Sequence, residues 1–215
     1  MTNEDLANLL RRSRILSAAV IEDPTHAVPL AKALLAGGLA VMEVTYRNSH
    51  ASECIRRIRA EVPEMTIGAG TLLTPTQVDE ARAAGAAFGV TPGFNPSIVR
   101  HAVDQGFALA PGVLTPGEME QSLALGAPVV KFFPAAAAGG VDFLKAIAAP
   151  YAHTALRIVP LGGIGETNLH EYLALPLVIA VGGSWLTDRR LAAKSQWETI
   201  TALTRRSMTL AKLGA

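Results

Sequence analysis

The chain has 215 residues, is 50% hydrophobic and carries a formal net charge of +1, with its charges scattered along its length. That is enough apolar material for one substantial core, and such a charge pattern offers neither a basic stripe for nucleic acid nor a polybasic run for a membrane surface. Cys54 stands alone, which excludes a disulfide framework and a cysteine-built metal site.

The mean hydropathy of +0.30 raises the question of a membrane span. The longest uncharged stretches, Ala83 to Val99 and Tyr172 to Thr187, both contain Gly and Pro and read as strand plus loop. A spanning helix needs roughly 20 predominantly apolar residues, and buried parallel strands raise hydropathy equally well. Met1 to Arg14 holds Glu4, Asp5, Arg11, Arg12 and Arg14 with no apolar run. It does not read as a signal peptide, and the expected location is the cytoplasm.

In chain order, Ile15 to Ile21 is the first strand candidate. Ala27, Leu30, Ala31, Leu34 and Leu35 follow at helical spacing, with Pro29 near the helix start. Gly37-Gly38 then precedes a strand over Leu39 to Thr45, and Met65 to Ala69 is a third. A repeat comes next. Thr74-Pro75, Asn95-Pro96 and Thr115-Pro116 each begin a segment that ends on Gly85, Gly106 or Gly126, 11 residues after the cap. A capping side chain, Pro at the first helical position and a terminal Gly are helix start and stop signals. Gln77 and Glu118 sit three residues past their caps and predict two capping boxes. After each Gly comes an apolar run, Ala86 to Thr91, Phe107 to Ala110 or Ala127 to Phe133, and each run stops at Pro92, Pro111 or Pro134. Arg157 to Leu161 and Leu177 to Val181 complete eight strand candidates. Trp197, Ile200, Thr204, Met208 and Ala211 mark one face of a terminal helix.

Strands alternating with helices imply an α/β fold with a parallel sheet. Eight such strands predict a closed (β/α)8 TIM barrel, one domain over residues 1–215 with N-terminal and C-terminal helical segments; a doubly wound open sheet is the other arrangement. Either way the site belongs at the carboxyl ends of the strands.

Two strands carry a charge inside an apolar run: Glu43 in the second and Lys131 in the sixth, each five positions after a helix-ending Gly (Gly38 and Gly126). Strands two and six lie opposite each other in an eight-stranded barrel, whose layers come from alternate strands, so Glu43 and Lys131 are expected to face one another. A buried charge is costly unless paired or neutralised. Burial among Val130 and Phe132 favours the neutral amine, which is what attack on a ketone requires. Spacing alone leaves two readings open, a buried ion pair and a nucleophilic lysine. Arg47, just past the second strand, is either a carboxylate clamp or a solvated loop arginine. The glycines of Gly68-Ala69-Gly70 before Thr71 permit close approach of a ligand to the backbone; an ordinary turn is the alternative. Gly162-Gly163 and Gly182-Gly183-Ser184 follow the last two strands, where such barrels often bind phosphate; tight turns are the alternative. His26, His50, His101, His153 and His170 show no ligand spacing, and no metal is expected.

Taken together, Glu43-Val44-Thr45-x-Arg47, Gly68-Ala69-Gly70-Thr71, Thr91-Pro92-Gly93, Lys131-Phe132-Phe133-Pro134-Ala135, Gly162-Gly163-Ile164 and Gly182-Gly183-Ser184-Trp185 resemble the 2-keto-3-deoxy-6-phosphogluconate (KDPG) / 4-hydroxy-2-oxoglutarate (KHG) aldolase family from about residue 15 to the C-terminus. The resemblance implies a class I aldolase without metal or organic cofactor. Lys131 matches the Schiff-base lysine, and Glu43 the general acid/base that shuttles protons through water. Arg47 and Thr71 match the groups that hold the pyruvate carboxylate. Pro92, Phe133 and Leu161 match the pocket lining, and Gly162, Gly163, Gly183 and Ser184 the phosphate-binding end. The implied substrate is a small 2-keto acid: KDPG, KHG, or a related sugar acid such as the galactonate epimer. The implied assembly is a homotrimer. Other readings of the fold are a catalytically silent phosphosugar-binding barrel and a phosphate-binding isomerase or epimerase. Leu161 stands where the family usually has Thr, Ala136 where Glu is common, Ser17 where Pro is frequent and Tyr46 where Leu is usual.

Overall fold

The computed structural model describes residues 1–213. In chain order they form α1 (Asn3–Ser13), β1 (Ile15–Ala19), α2 (Ala27–Ala36), β2 (Val41–Thr45), α3 (Ala51–Glu61), β3 (Thr66–Gly70), α4 (Pro75–Ala84), β4 (Phe88–Val90), α5 (Pro96–Asp104), β5 (Leu109–Ala110), β6 (Gly112–Val113), α6 (Pro116–Ala124), β7 (Val129–Phe132), α7 (Gly140–Ala148), β8 (Arg157–Pro160), α8 (Leu169–Leu173), β9 (Val181–Gly183), α9 (Arg189–Ala193) and α10 (Trp197–Leu213). No helix of the described residues is long and apolar enough to cross a membrane.

The three repeated units begin as expected. Thr74, Asn95 and Thr115 cap α4, α5 and α6 by accepting from the N–H of Gln77, Ser97 and Glu118. Each has Pro in the first turn, where no intrahelical donor is lost. Gly85 ends α4 at φ +100°, a conformation a side chain would strain. Glu118 completes a capping box, but Gln77 does not: its Oε1 accepts from the Leu73 N–H, one residue before the cap. A further box, Thr2 with Asp5, opens α1. Asn3 donates to the Gly126 carbonyl at 2.7 Å, which ties α1 to the chain entering β7.

The expected α/β architecture with a parallel sheet is present. Every strand pair is parallel, and the strands form two ladders, β5-β4-β3-β2-β1-β9 and β6-β7-β8. Two expectations need correction. The fifth run stops at Pro111 as expected, but the chain resumes at once as β6, a further short strand that was not expected. Pro111 has no N–H to donate. The side chain of Thr91 bridges the gap by accepting from the Gly112 N–H at 3.0 Å. Hence β5 pairs with β4, and β6 pairs with β7. The last strand is Val181–Gly183 rather than Leu177 to Val181. Val178 makes only an isolated bridge to Ile158, and Leu161 makes another to Gly182.

Near-continuous burial of the strands follows from helices covering their outer faces. On α10, Ile200, Thr204, Met208 and Ala211 are buried, the stripe expected from the spacing, and Trp197 packs against the core only partly buried. The registers that matter for function run level across neighbouring strands. Ala18 lies beside Glu43, and Glu43 beside Gly68; Gly112 lies beside Lys131, and Lys131 beside Val159.

Candidate active site

Lys131 projects from β7 between two fully buried neighbours, Val130 and Phe132, and is itself 5% exposed. Its Nζ lies 3.9 Å from Glu43 Oε1 and 5.0 Å from the centroid of the Phe133 ring. Glu43 is 1% exposed, and its Oε2 has no hydrogen-bonding partner among the described residues. Burial pushes the Glu43 carboxyl above the usual carboxylate range; Lys131 and Arg47 pull it the other way, and burial prevails. The two side chains therefore meet as the strand spacing predicts. Low solvent access penalises the carboxylate and favours the protonated Glu43 carboxyl.

The glycines of β3 serve a different purpose from the one expected. They were expected to let a ligand approach the backbone, but protein side chains occupy that space. A Cβ at Gly70 would lie 2.9 Å from Glu43 Cδ and 3.0 and 3.2 Å from its carboxylate oxygens. A Cβ at Gly68 would lie 2.3 Å from the ring of Phe88. These glycines make room for the Glu43 carboxylate and for the aromatic ring below it.

A cavity of about 750 Å³ opens at the carboxyl ends of the strands and reaches the Lys131–Glu43 pair. Its walls gather nine of the residues singled out from sequence: Glu43, Arg47, Lys131, Phe133 and Leu161, with Gly162, Gly163, Gly183 and Ser184 beyond them. Thr71 and Pro92 are at strand ends too but do not line it. Thr71 follows β3 at φ +59°, a left-handed conformation uncommon for a β-branched residue.

Two of the family departures have local explanations. Leu161 packs where Gly182 leaves space, since a Cβ there would lie 2.6 Å from Leu161 Cγ. Ala136 packs against Gly163, where a Cβ would come within 2.5 Å of the alanine Cβ. Gly162 and Gly163, which follow β8, are left-handed, at φ +94° and +77°. Tyr46 turns away from the cavity, and its hydroxyl pairs with Ser52 Oγ at 2.9 Å.

Sequence reasoning missed one wall: Trp185, Thr187, Asp188, Arg189 and Arg190 line the cavity as well. The adjacent arginines just after Gly182-Gly183-Ser184 were the available signal. Asp188 accepts from the Arg190 N–H and its guanidinium, and Arg189 pairs with Glu22 at 2.9 Å. Thr45 also lines the cavity, but its hydroxyl donates to the Ala19 carbonyl.

Comparison with known proteins follows the same line. The family model described as KDPG and KHG aldolase matches residues 6–203. The 2-dehydro-3-deoxy-phosphogluconate aldolase of Treponema pallidum (strain Nichols) is 45% identical over 199 residues, covering 93% of this chain and 94% of that protein. The KHG/KDPG aldolase of Escherichia coli (strain K12) is 41% identical over 206 residues, covering 96% of each. Among solved structures, KDPG aldolase from Legionella pneumophila, with pyruvate captured at low pH as a covalent carbinolamine intermediate, superposes with a TM-score of 0.89. It shares 38% identity and covers 93% of this chain and 96% of that one.

Proposed function

The chain belongs to the KDPG and KHG aldolase family, and on that premise we propose that it is a class I aldolase cleaving KDPG to pyruvate and glyceraldehyde 3-phosphate, with Lys131 as the nucleophile and Glu43 as the proton carrier. The observation that carries this reading is the Lys131 amine 3.9 Å from a buried carboxyl, at the floor of a cavity that a small sugar acid fits. KHG cleavage to pyruvate and glyoxylate is a second reaction of the same site, favoured by the dual name of the Escherichia coli relative.

The chemistry follows from the pair. In the amine–acid form, Lys131 Nζ adds to the C2 ketone, and the Glu43 carboxyl supplies the proton with which the carbinolamine oxygen leaves as water. The resulting protonated imine draws electrons from the C3–C4 bond. The Glu43 carboxylate takes up the proton of the C4 hydroxyl, the C3–C4 bond breaks, and the aldehyde departs. The remaining enamine is protonated at C3, and water adds to the imine to release pyruvate and the Lys131 amine. A carboxyl raised by burial suits this work because it holds its proton more readily than an exposed carboxyl and can still release it. The imine itself serves as the electron sink.

Arg47 holds the pyruvate carboxylate in this reading, and Phe133 and Leu161 shape the pocket around the reacting carbons, while Thr71 and Pro92 stand at strand ends outside the cavity walls. Gly162, Gly163, Gly183 and Ser184 offer backbone N–H groups to the phosphate. The two ladders, of six and three strands, are parts of one closed (β/α)8 barrel, an inference supported by the short break at Pro111 and the bridges from Ile158 to Val178 and from Leu161 to Gly182. A homotrimer in the cytoplasm completes the proposal.

Reduction with borohydride in the presence of pyruvate, followed by intact mass, tests it. The expected result is one pyruvate-derived adduct in the wild type and none in Lys131→Ala. A wild type without adduct overturns the mechanism.

A further inference from the structure

We propose that Glu166, Ser207 and Trp185 form a positioning chain that shapes the cavity wall beside the phosphate and gives the enzyme its preference for the 6-phosphorylated substrate over the shorter KHG. The inference rests on the aldolase reading above and deepens it.

Trp185 is the cavity-lining end of this chain. Its ring lies against the backbone of Gly183, where a Cβ would come 2.7 Å from both Cε3 and Cζ3. Ring placement and the course of the loop after β9 are thus coupled. The indole Nε1–H donates to Ser207 Oγ at 3.1 Å, and Ser207 Oγ donates to Glu166 Oε1 at 2.8 Å. One fully buried hydroxyl accepts from the tryptophan and donates to the carboxylate, so both of its roles are defined.

Glu166 belongs to the loop after β8, three residues past Gly163. Arg206 Nε lies 2.9 Å from each of its oxygens, and Nη2 closes the fork. Its hydrogen bonds from Arg206 hold this carboxyl below the usual carboxylate range, with a further contribution from Ser207. An ionised Glu166 can only accept, which keeps the Ser207 proton directed at it and leaves an Oγ lone pair for Trp185. Both glycine-bearing loops at the phosphate end are therefore tied to one turn of α10, through adjacent residues Arg206 and Ser207. Glu166 and Ser207 do not line the cavity and act through Trp185.

KHG lacks the phosphate-bearing tail and does not need this wall. Steady-state kinetics on KDPG and KHG with the wild type, Ser207→Ala, Glu166→Ala and the double variant test the inference. Each single variant removes one link. The expected result is a KM for KDPG raised about fivefold, the effect of one hydrogen bond, with kcat retained and KHG kinetics unchanged. Because both changes break one chain, the double variant should match a single one rather than multiply the losses. The KHG reaction reports that each variant is folded. Equal losses on both substrates, an unchanged KDPG to KHG ratio, or multiplicative losses in the double variant overturn the positioning chain. A wild type that cleaves neither substrate and traps no pyruvate overturns the aldolase reading instead.

Discussion

Gly70→Ala places one methyl group against the Glu43 carboxyl and leaves the chemistry of Glu43 and Lys131 intact. The new Cβ would sit 2.9 Å from Glu43 Cδ. Ordinary carbon–carbon contact begins near 3.5 Å, so the carboxylate must retreat by about 0.6 Å. The atoms that clash are the far end of a side chain, which can swing, so repacking costs only about 1 kcal/mol. Replacing a strand glycine recovers about 0.5–1 kcal/mol of backbone entropy, and the two nearly cancel. The chemistry is less forgiving: misplacement on the order of 1 Å in a catalytic constellation costs about 10²-fold. The variant should therefore unfold in urea within about 1 kcal/mol of the wild type while kcat on KDPG falls about 10²-fold. Borohydride trapping of pyruvate on Lys131 should persist on long incubation, because the amine is untouched. A kcat within threefold of the wild type would refute the claim that the position of Glu43 governs turnover. A stability loss beyond about 3 kcal/mol would show that the carboxylate cannot move aside.

Gly68→Ala is the contrasting case. Its Cβ meets the rigid, fully buried Phe88 ring at 2.3 Å, and urea unfolding should register a loss of about 3 kcal/mol; a near-neutral result would mean the ring has room that the packing denies. Glu43→Gln should slow KDPG turnover by roughly 10²–10⁴-fold. It should also alter the pH dependence of stability. Burial raises the native Glu43 pKa above its usual 4.5, so its contribution is fully present below pH 4.5 and is lost as pH rises through the native value. The urea midpoint of the Gln variant should gain on the wild type across that window, and a constant difference from pH 4 to pH 8 would contradict the buried assignment. Thr74→Ala removes the acceptor for the Gln77 N–H and should cost about 1 kcal/mol in urea unfolding with kcat/KM unchanged; altered kinetics would link α4 to the site.

Much of the candidate site is legible before folding, and the reasons are particular. Glu43 and Lys131 stand out because a charge inside an apolar strand is anomalous, and their equal offsets from Gly38 and Gly126 place them level. The role of Gly70 is not legible, because the atom it accommodates belongs to a neighbouring strand 27 residues earlier in the chain. The Trp185–Ser207–Glu166 chain is hidden for the same reason. Its members carry no periodic signal, and the indole meets the serine only after α10 packs on the two loops. The break at Pro111 was written as a stop signal, since proline cannot donate to a ladder. The Thr91 hydroxyl takes the Gly112 N–H, and the N–H groups of Lys131 and Phe133 bond the Pro111 and Val113 carbonyls, so the chain continues as β6 against β7.

Sequence by itself determined the alternation of capped helices and buried strands, the family, and which charged residues lie at the strand ends. Those signals act within one helical turn or one strand, where few partners compete. Tertiary structure decided what each glycine makes room for, which residues wall the cavity, and how close the lysine and carboxyl approach. The 3.9 Å between Lys131 and Glu43 arises between strands of two different ladders, and no local preference along either strand can set a distance between them.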